Sequence, residues 1–204
     1  MKVLGLTGGM AAGKSTVALL FRKAGVPVFD ADACVRQLQA PHGRAVPALR
    51  KAFPGTVHDG VLDRAALRRL IAADSTVLPR LEAIIHPLVR QERQAFLKRC
   101  RSRQVPLCVL DIPLLWETGA DRDCTFVMVA VAPLSVRLSR IQQRYRRGGR
   151  MSAADAEALL ARQMPDRERR RRADIVIETG LSRAHAARQV HALLASLRQM
   201  RERR

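Results

Sequence analysis

The sequence contains no asparagine and only 3% aromatic residues. A GTPase that reads guanine through an Asn-Lys-x-Asp segment is excluded, because no such segment can exist without asparagine. A protein kinase is excluded as well, since its catalytic loop also needs an asparagine. The few aromatic rings offer little surface for stacked bases, which disfavours a single-strand nucleic-acid binding protein.

Long apolar runs and paired cysteines are also missing. The longest run, Phe126 to Leu134, is far shorter than the roughly 18 to 20 residues of a membrane helix. Glycines and Lys14 interrupt the apolar N-terminal stretch, so no signal-peptide core is expected. The four cysteines show no C-x-x-C spacing, which predicts reduced, structural thiols. We therefore expect a cytoplasmic protein without a membrane segment.

The chain is strongly basic, with a formal net charge of +19 over 204 residues. Of its 37 basic residues 32 are arginine, and residues 137–172 carry 12 arginines against four acids. Such a field favours anionic partners. A compositional bias towards arginine and alanine explains the charge equally well, so both interpretations stay open. Ordinary proportions of hydrophobic and charged residues predict one folded domain over 1–204.

The apolar pattern predicts alternating strands and helices. Lys2–Thr7 is typical of a strand, Lys14–Ala24 of a helix that Gly25 ends, and Val26–Phe29 of a second strand. Three further apolar runs predict strands covered on both faces: Leu107–Leu110, Phe126–Val131 and Ile175–Ile177. This order predicts an α/β fold with a five-stranded parallel sheet, closed by a helix over Arg183–Met200.

Residues 35–103 show helical periodicity between the second and third predicted strands. Pro41-His42-Gly43, Pro54-Gly55 and Asp59-Gly60 interrupt it. A helix boundary is expected at His86, because a residue before proline avoids helical geometry and Pro87 suits a first turn. We interpret the stretch as a helical insertion beside the sheet.

Gly8 to Ser15 match the phosphate-binding loop G-x-x-x-x-G-K-[ST], between a predicted strand and a predicted helix. In such a P-loop the backbone amides and the helix start surround phosphate oxygens, Lys14 reaches the β and γ phosphates, and Ser15 binds Mg²⁺. Position 11 is alanine where many such loops carry glycine. If this residue needs a positive φ, the alanine costs on the order of 1 kcal/mol.

Several segments, in order along nearly the whole chain, make the sequence resemble the dephospho-CoA kinases. They are Gly5–Thr16, Val26–Asp32, Asp59-Gly60 with Leu62–Arg64, His86-Pro87, Asp111–Glu117 and Ala173–Ile177. The resemblance implies a P-loop nucleotide-kinase-like three-layer fold, a helical acceptor-binding insertion within 35–103 and a basic helical lid within 137–172. It also implies transfer of phosphate from ATP, with Mg²⁺, to the ribose 3′-hydroxyl of dephospho-CoA.

The resemblance implies a set of nucleotide and metal contacts. Lys14, Asp32 and Arg140 are expected to be catalytic, with Asp32 as general base; capping of a helix near Ala33 is its structural alternative. Mg²⁺ is expected at Ser15, Asp30 and Asp111. The nucleotide-binding residues are expected to be Gly8, Gly9, Ala11, Ala12, Gly13, Lys14, Ser15, Thr16 and Arg144.

Acceptor contacts are expected at Asp32, Asp63, Arg64, His86, Pro113, Leu114 and Glu117. Asp63 fits a helix N-cap equally well, and His86 fits a helix boundary.

Arginines recur at helical spacing from residue 137 onward. Arg137, Arg140 and Arg144 at i, i+3 and i+7 place three guanidinium groups on one helix face, towards a triphosphate. Arg146, Arg147 and Arg169–Arg172 are expected to be solvated. Ser152 with Asp155 resembles a capping box.

Two rival functions remain. Another P-loop small-molecule or nucleoside-monophosphate kinase shares this layout, and the net charge suggests a basic nucleic-acid-binding ATPase. The sequence does not predict the oligomeric state.

Overall fold

The computed structural model describes residues 1–146 and 164–202. The chain forms two compact units, Met1–Val28 with Val105–Arg204 and, between them in sequence, Phe29–Gln104. The predicted insertion at 35–103 falls within the second unit. No helix among the described residues combines the length and apolar character needed to cross a membrane.

A five-stranded sheet forms in the order β2-β5-β1-β6-β7, which confirms the predicted α/β fold with five parallel strands. Its strands are β1 (Lys2–Gly8), β2 (Val28–Asp30), β5 (Leu107–Asp111), β6 (Phe126–Val131) and β7 (Ile175–Glu178). β1 pairs in parallel with β5 and β6, and β6 pairs in parallel with β7. β1 therefore lies in the middle of the sheet.

The described residues also form helices between and after the strands. They are α1 (Lys14–Lys23), α2 (Ala31–Leu38), α3 (Val46–Ala52), α4 (Arg64–Ala73), α5 (Val77–Ser102), α6 (Leu134–Arg146), α7 (Asp166–Arg172) and α8 (Arg183–Glu202), with a 3₁₀ helix at Ala120–Asp123. The predicted lid, 137–172, is described only in α6 and α7. The Ser152–Asp155 capping box lies outside the described residues.

The core of the first unit lies between the sheet and helices α1 and α8. Leu4 and Leu6 of β1 pack with Phe21 of α1 and Val190 of α8, and none of the four exposes any surface. Each such side chain contributes roughly 1.5 to 3 kcal/mol by leaving water. This packing fixes the position of the β1 carboxyl end, from which the phosphate-binding loop starts.

Helix α1 ends where the glycine signal predicts. Gly25 has φ 77°, and the amides of Gly25 and Val26 donate to the carbonyls of Arg22 and Phe21. These two bonds form a Schellman motif, which satisfies the last carbonyls of the helix.

The predicted helix boundary at His86 is wrong. Helix α5 runs through Pro87 without ending. A buried stripe extends along its whole length, from Val77 through Ile85 to Leu97. Burial of this stripe outweighs the cost of about 3 kcal/mol that an internal proline brings. His86 and Pro87 lie on the exposed side.

The Asp59-Gly60 interruption is a β-hairpin rather than a simple break between helices. β3 (Val57–His58) pairs antiparallel with β4 (Val61–Leu62). Asp59 has φ 48° and Gly60 has φ 75°, as a type I′ turn requires. An Asp-Gly pair between short apolar segments is the signal that predicts such a hairpin.

Candidate active site

The P-loop, Gly8 to Ser15, connects the end of the central strand β1 to helix α1. The register pairs Leu6 with Asp111 of β5 and Gly8 with Ala130 of β6. The carboxyl ends of three parallel strands therefore meet at the loop. This edge is where open α/β sheets bind their ligands.

The loop backbone takes left-handed geometry at two positions. Gly13 has φ 89° and Ala11 has φ 58°. The alanine at position 11 thus carries the expected strain of about 1 kcal/mol, because its Cβ crowds the backbone in this region. Its methyl group is buried and packs with Ile141 of α6, and this packing offsets part of the cost.

Three successive carbonyls of the P-loop accept hydrogen bonds from side chains distant in sequence. Arg137 Nε donates to the Met10 oxygen at 2.8 Å and Arg140 Nη1 to the Ala11 oxygen at 3.0 Å. Thr179 Oγ1 donates to the Ala12 oxygen at 2.5 Å. These bonds fix the carbonyl side of the loop, so its peptide planes keep one orientation and its amides are preorganised for an anion.

Thr179, just after β7, was not singled out by sequence reasoning. Its side chain is buried, and its hydroxyl is also 3.1 Å from the Val131 oxygen. A Cβ on Gly13 would lie 2.7 Å from Thr179 Oγ1. Glycine at 13 is therefore needed for close approach as well as for its positive φ.

Lys14 and Asp111 form an ion pair between the P-loop and the end of β5. Lys14 Nζ lies 2.6 Å from Asp111 Oδ1, and the aspartate side chain is only 4% exposed. A buried carboxylate of this kind needs a paired cation. The pair brings Lys14 of the P-loop and the last residue of β5 together.

A hydroxyl and a carboxylate oxygen are ligands of the type that Mg²⁺ prefers. Ser15 is exposed in the first turn of α1, and the Asp111 carboxylate lies beside Lys14. No group of three or more His, Cys, Asp or Glu side chains suited to a metal occurs within residues 1–146 and 164–202. The donor set fits an ion held partly by protein oxygens and partly by nucleotide phosphates.

Two aspartates lie where β2 ends and α2 begins, and they differ in their contacts with the helix. Asp30 is the N-cap of α2 and its Oδ1 accepts the Ala33 amide at 2.8 Å. Asp32 lies exposed in the first helical turn, so its capping alternative is wrong. The helix begins two residues before the expected start near Ala33, because Asp30 caps it by accepting the Ala33 amide.

The expected acceptor residues of the second unit lie on helices. Asp63 caps α4 by accepting the Ala65 and Ala66 amides, which lower the pKa of its carboxyl. Arg64 begins α4 and is exposed, and His86 is exposed on α5. The capping alternative for Asp63 is confirmed, and the boundary alternative for His86 is wrong.

Pro113, Leu114 and Glu117 follow β5. The Pro113 oxygen accepts the Thr7 hydroxyl at 2.8 Å. Leu114 is 52% exposed and Glu117 is exposed. This hydrogen bond joins the start of the segment after β5 to Thr7, near the end of β1 and next to the P-loop.

The arginines of α6 and α7 differ in exposure. Arg137 is buried, Arg140 is half-buried and Arg144 is exposed. Burial, and then the neighbouring charge of Arg144, lower the pKa of Arg140. Arg169, expected to be solvated, is buried and its Nη1 lies 3.2 Å from Asp166 Oδ1. The expectation fails because Asp166, three residues earlier, neutralises it inside the fold.

The chain is similar to known proteins along almost its whole length. The family model described as dephospho-CoA kinase matches residues 2–184. The dephospho-CoA kinase of Gluconobacter oxydans is 68% identical over 199 residues, which cover 98% of this chain and 99% of that protein. That of Mesorhizobium japonicum is 47% identical over 201 residues, covering 98% and 99%.

Solved structures with the same fold also match almost the whole chain. The crystal structure of TT1252 from Thermus thermophilus has a TM-score of 0.80 at 36% identity and covers 96% of this chain and 97% of its own. A dephospho-CoA kinase from Campylobacter jejuni has the same fold, with a TM-score of 0.71 at 22% identity and coverages of 97% and 98%. The chain therefore belongs to the dephospho-CoA kinase family.

Proposed function

We propose that this enzyme transfers the γ-phosphoryl group of ATP to the ribose 3′-hydroxyl of dephospho-CoA, giving coenzyme A and ADP. The observation that carries the proposal is a P-loop with three carbonyls held by side chains, Met10, Ala11 and Ala12, in a chain of this family. A loop fixed in this way presents its amides to a triphosphate at no cost in reorganisation.

The P-loop binds the ATP phosphates. Its amides and the N-terminus of α1 stabilise the negative charge, and Lys14 contacts the β and γ phosphates. The ion pair with Asp111 orients the lysine towards the end of the sheet. Gly8, Gly9, Ala11, Ala12, Gly13 and Thr16 complete the loop.

Mg²⁺ is assigned to Ser15 and Asp111, with Asp30 as a third oxygen donor. When bound, the ion neutralises charge on the β and γ phosphate oxygens. Asp111 has the acceptor capacity for both Lys14 and an ion or its water, because a carboxylate offers about four lone-pair sites.

Asp32 is assigned as the general base. Its carboxylate is exposed after the carboxyl end of β2, and it does not cap α2. It accepts the proton of the 3′-hydroxyl as the oxygen attacks the γ-phosphorus. We assign acceptor binding to Asp63, Arg64, His86, Pro113, Leu114 and Glu117.

Arg140 and Arg144 are assigned to the transferring phosphoryl group. Arg140 already lies beside the Ala11 carbonyl, and Arg144 follows one turn later on α6. A guanidinium that reaches the transition state contributes roughly 10³ to 10⁵ in rate. Arg144, which is exposed, is free to turn towards ATP without breaking a buried contact.

The activity is tested by measuring ADP release with dephospho-CoA, AMP, CMP and shikimate as acceptors. We expect a strong preference for dephospho-CoA, and preference for any other acceptor contradicts the proposal. Asp32→Asn should lower kcat far more than ATP affinity. An unchanged kcat in Asp32→Asn would remove the base from the mechanism.

A further inference from the structure

Two buried arginines share one carboxylate beside the P-loop. Arg137 Nη1 lies 3.0 Å from Asp166 Oδ2, and Arg169 Nη1 lies 3.2 Å from Asp166 Oδ1. The arginine side chains are 7% and 9% exposed, and that of Asp166 is 30% exposed. Arg137 comes from α6 and the other two residues from α7, so Asp166 joins two elements.

This cluster lies directly against the first half of the P-loop. A Cβ on Gly9 would lie 2.6 Å from both Arg137 Nη2 and Arg169 Nη1. Arg137 Nε also donates to the Met10 oxygen. The two guanidinium groups therefore pack on the Gly9 backbone at a distance that only glycine permits.

Asp166 lies between the positive charges of Arg137 and Arg169. Two cations and one anion leave a net positive charge beside a phosphate-binding loop, and buried cations this close repel each other unless a carboxylate lies between them. Asp166 therefore reduces the repulsion between Arg137 and Arg169 and helps to hold Arg137, a donor to the Met10 carbonyl, in place.

We propose that Asp166, through Arg137 and Arg169, is a positioning residue that holds the Gly9–Met10 segment of the P-loop in its phosphate-binding conformation. The carboxylate acts through the two arginines and does not itself contact ATP. This inference rests on the proposed kinase activity, since it concerns the affinity of the same loop for ATP.

The test compares Asp166→Asn with Glu168→Gln. Both substitutions replace a carboxylate with its amide, and both residues lie on α7. Glu168 also pairs with two arginines, Arg171 and Arg172, but both are exposed to solvent. The Kd for ATP is measured by calorimetry, and KM for ATP, KM for dephospho-CoA and kcat by ADP release. Melting temperatures are recorded for each protein.

We expect Asp166→Asn to weaken ATP binding roughly tenfold, as loss of a charge-assisted hydrogen bond gives, with KM for dephospho-CoA unchanged. Glu168→Gln should bind ATP like the unmodified enzyme. Asp166→Glu, which keeps the charge, should recover part of the affinity. Equal ATP affinity in Asp166→Asn and Glu168→Gln overturns the proposal.

Gly9→Ala provides a second test that keeps all three charged side chains of the cluster. Its methyl group displaces both guanidinium groups from the loop, so ATP affinity should again fall. Combined with Asp166→Asn, the loss should be smaller than the sum of the single losses, because both changes disrupt one contact. Additive losses contradict the proposal. Failure of the unmodified enzyme to bind ATP would instead contradict the proposed function.

Discussion

Lys14 has two roles in this fold. Its ammonium group lies in the P-loop, and it is also the cation beside the buried carboxylate of Asp111. Loss of the lysine should therefore affect stability as well as the proposed phosphate binding, because removing one partner of a buried pair leaves an uncompensated charge.

The two effects are separable by comparing Lys14→Ala with Lys14→Arg. Lys14→Ala should lower both the melting temperature and kcat. Lys14→Arg keeps a cation for Asp111, so its melting temperature should stay close to that of the unmodified enzyme. Its kcat should still fall by about 10² or more, because a planar guanidinium cannot replace the compact ammonium. Normal turnover by Lys14→Arg would contradict the assignment.

Thr179 offers a second prediction at single-residue scale. Thr179→Val keeps the shape but removes the hydroxyl that the Ala12 carbonyl needs. We expect a loss of about 1 to 3 kcal/mol in the free energy of unfolding, measured in urea, and weaker ATP binding. Thr179→Ser keeps the donor and serves as control. Equal ATP affinity in the valine and serine variants would show that the hydroxyl does not position the loop.

At the scale of elements, Asp30 caps helix α2 and is also assigned to Mg²⁺, and two substitutions distinguish these roles. Asparagine caps a helix as well as aspartate does, whereas alanine does not. Asp30→Ala should lower the free energy of unfolding by about 1 kcal/mol, and Asp30→Asn should change it little. A lower kcat in Asp30→Asn, restored by higher Mg²⁺, would support the metal role. Unchanged kinetics in Asp30→Asn would contradict the metal role and show that Asp30 serves only as the helix cap.

Helix α4 gives a pH-dependent prediction. The Ala66 and Ala65 amides lower the native pKa of Asp63, so its ionised form stabilises the fold. This contribution is present above the ordinary value of about 3.9 and disappears as the pH falls through the lower native pKa. The difference in melting temperature between the unmodified enzyme and Asp63→Ala, which has no cap, should therefore shrink from pH 6 to pH 2.5. A constant difference would contradict the capping contribution.

Sequence patterns predicted β5 and β6 closely because each is a nearly continuous apolar run with almost every residue buried. They failed where distant contacts decide the outcome. Packing along α5 overrides Pro87, and the Asp59-Gly60 turn needed its short flanking strands to be recognised. Arg169 belongs to a run of four arginines, and only the fold distinguishes the one that reaches Gly9.

The P-loop was predictable as a local motif, since Gly8 to Ser15 form the loop by themselves. The side chains that hold it were harder to find. Arg137 and Thr179 lie more than 100 residues away in sequence, and no spacing rule connects them to Met10 or Ala12. Arg140 was expected near phosphate, but its bonds to the loop carbonyl and to Thr179 appear only in the structure.

At the scale of the whole molecule, the net charge of +19 suggests long-range attraction of anions. We expect duplex DNA to bind weakly, to dissociate as salt rises, and not to stimulate ATP turnover. The measurement is ADP release with and without DNA between 50 and 300 mM salt. DNA-stimulated hydrolysis at physiological salt would instead support a nucleic-acid-dependent ATPase.

The central position of β1 also has a consequence for biosynthesis. The ribosome makes the phosphate-binding loop early. The residues that contact and position it are made much later, since Asp166 lies in α7 and Thr179 follows β7. Domains fold as they are synthesised, N-terminal parts first. Nascent chains that end before β7 should therefore fail to retain ATP, so nucleotide capture reports when the growing polypeptide has completed its sheet.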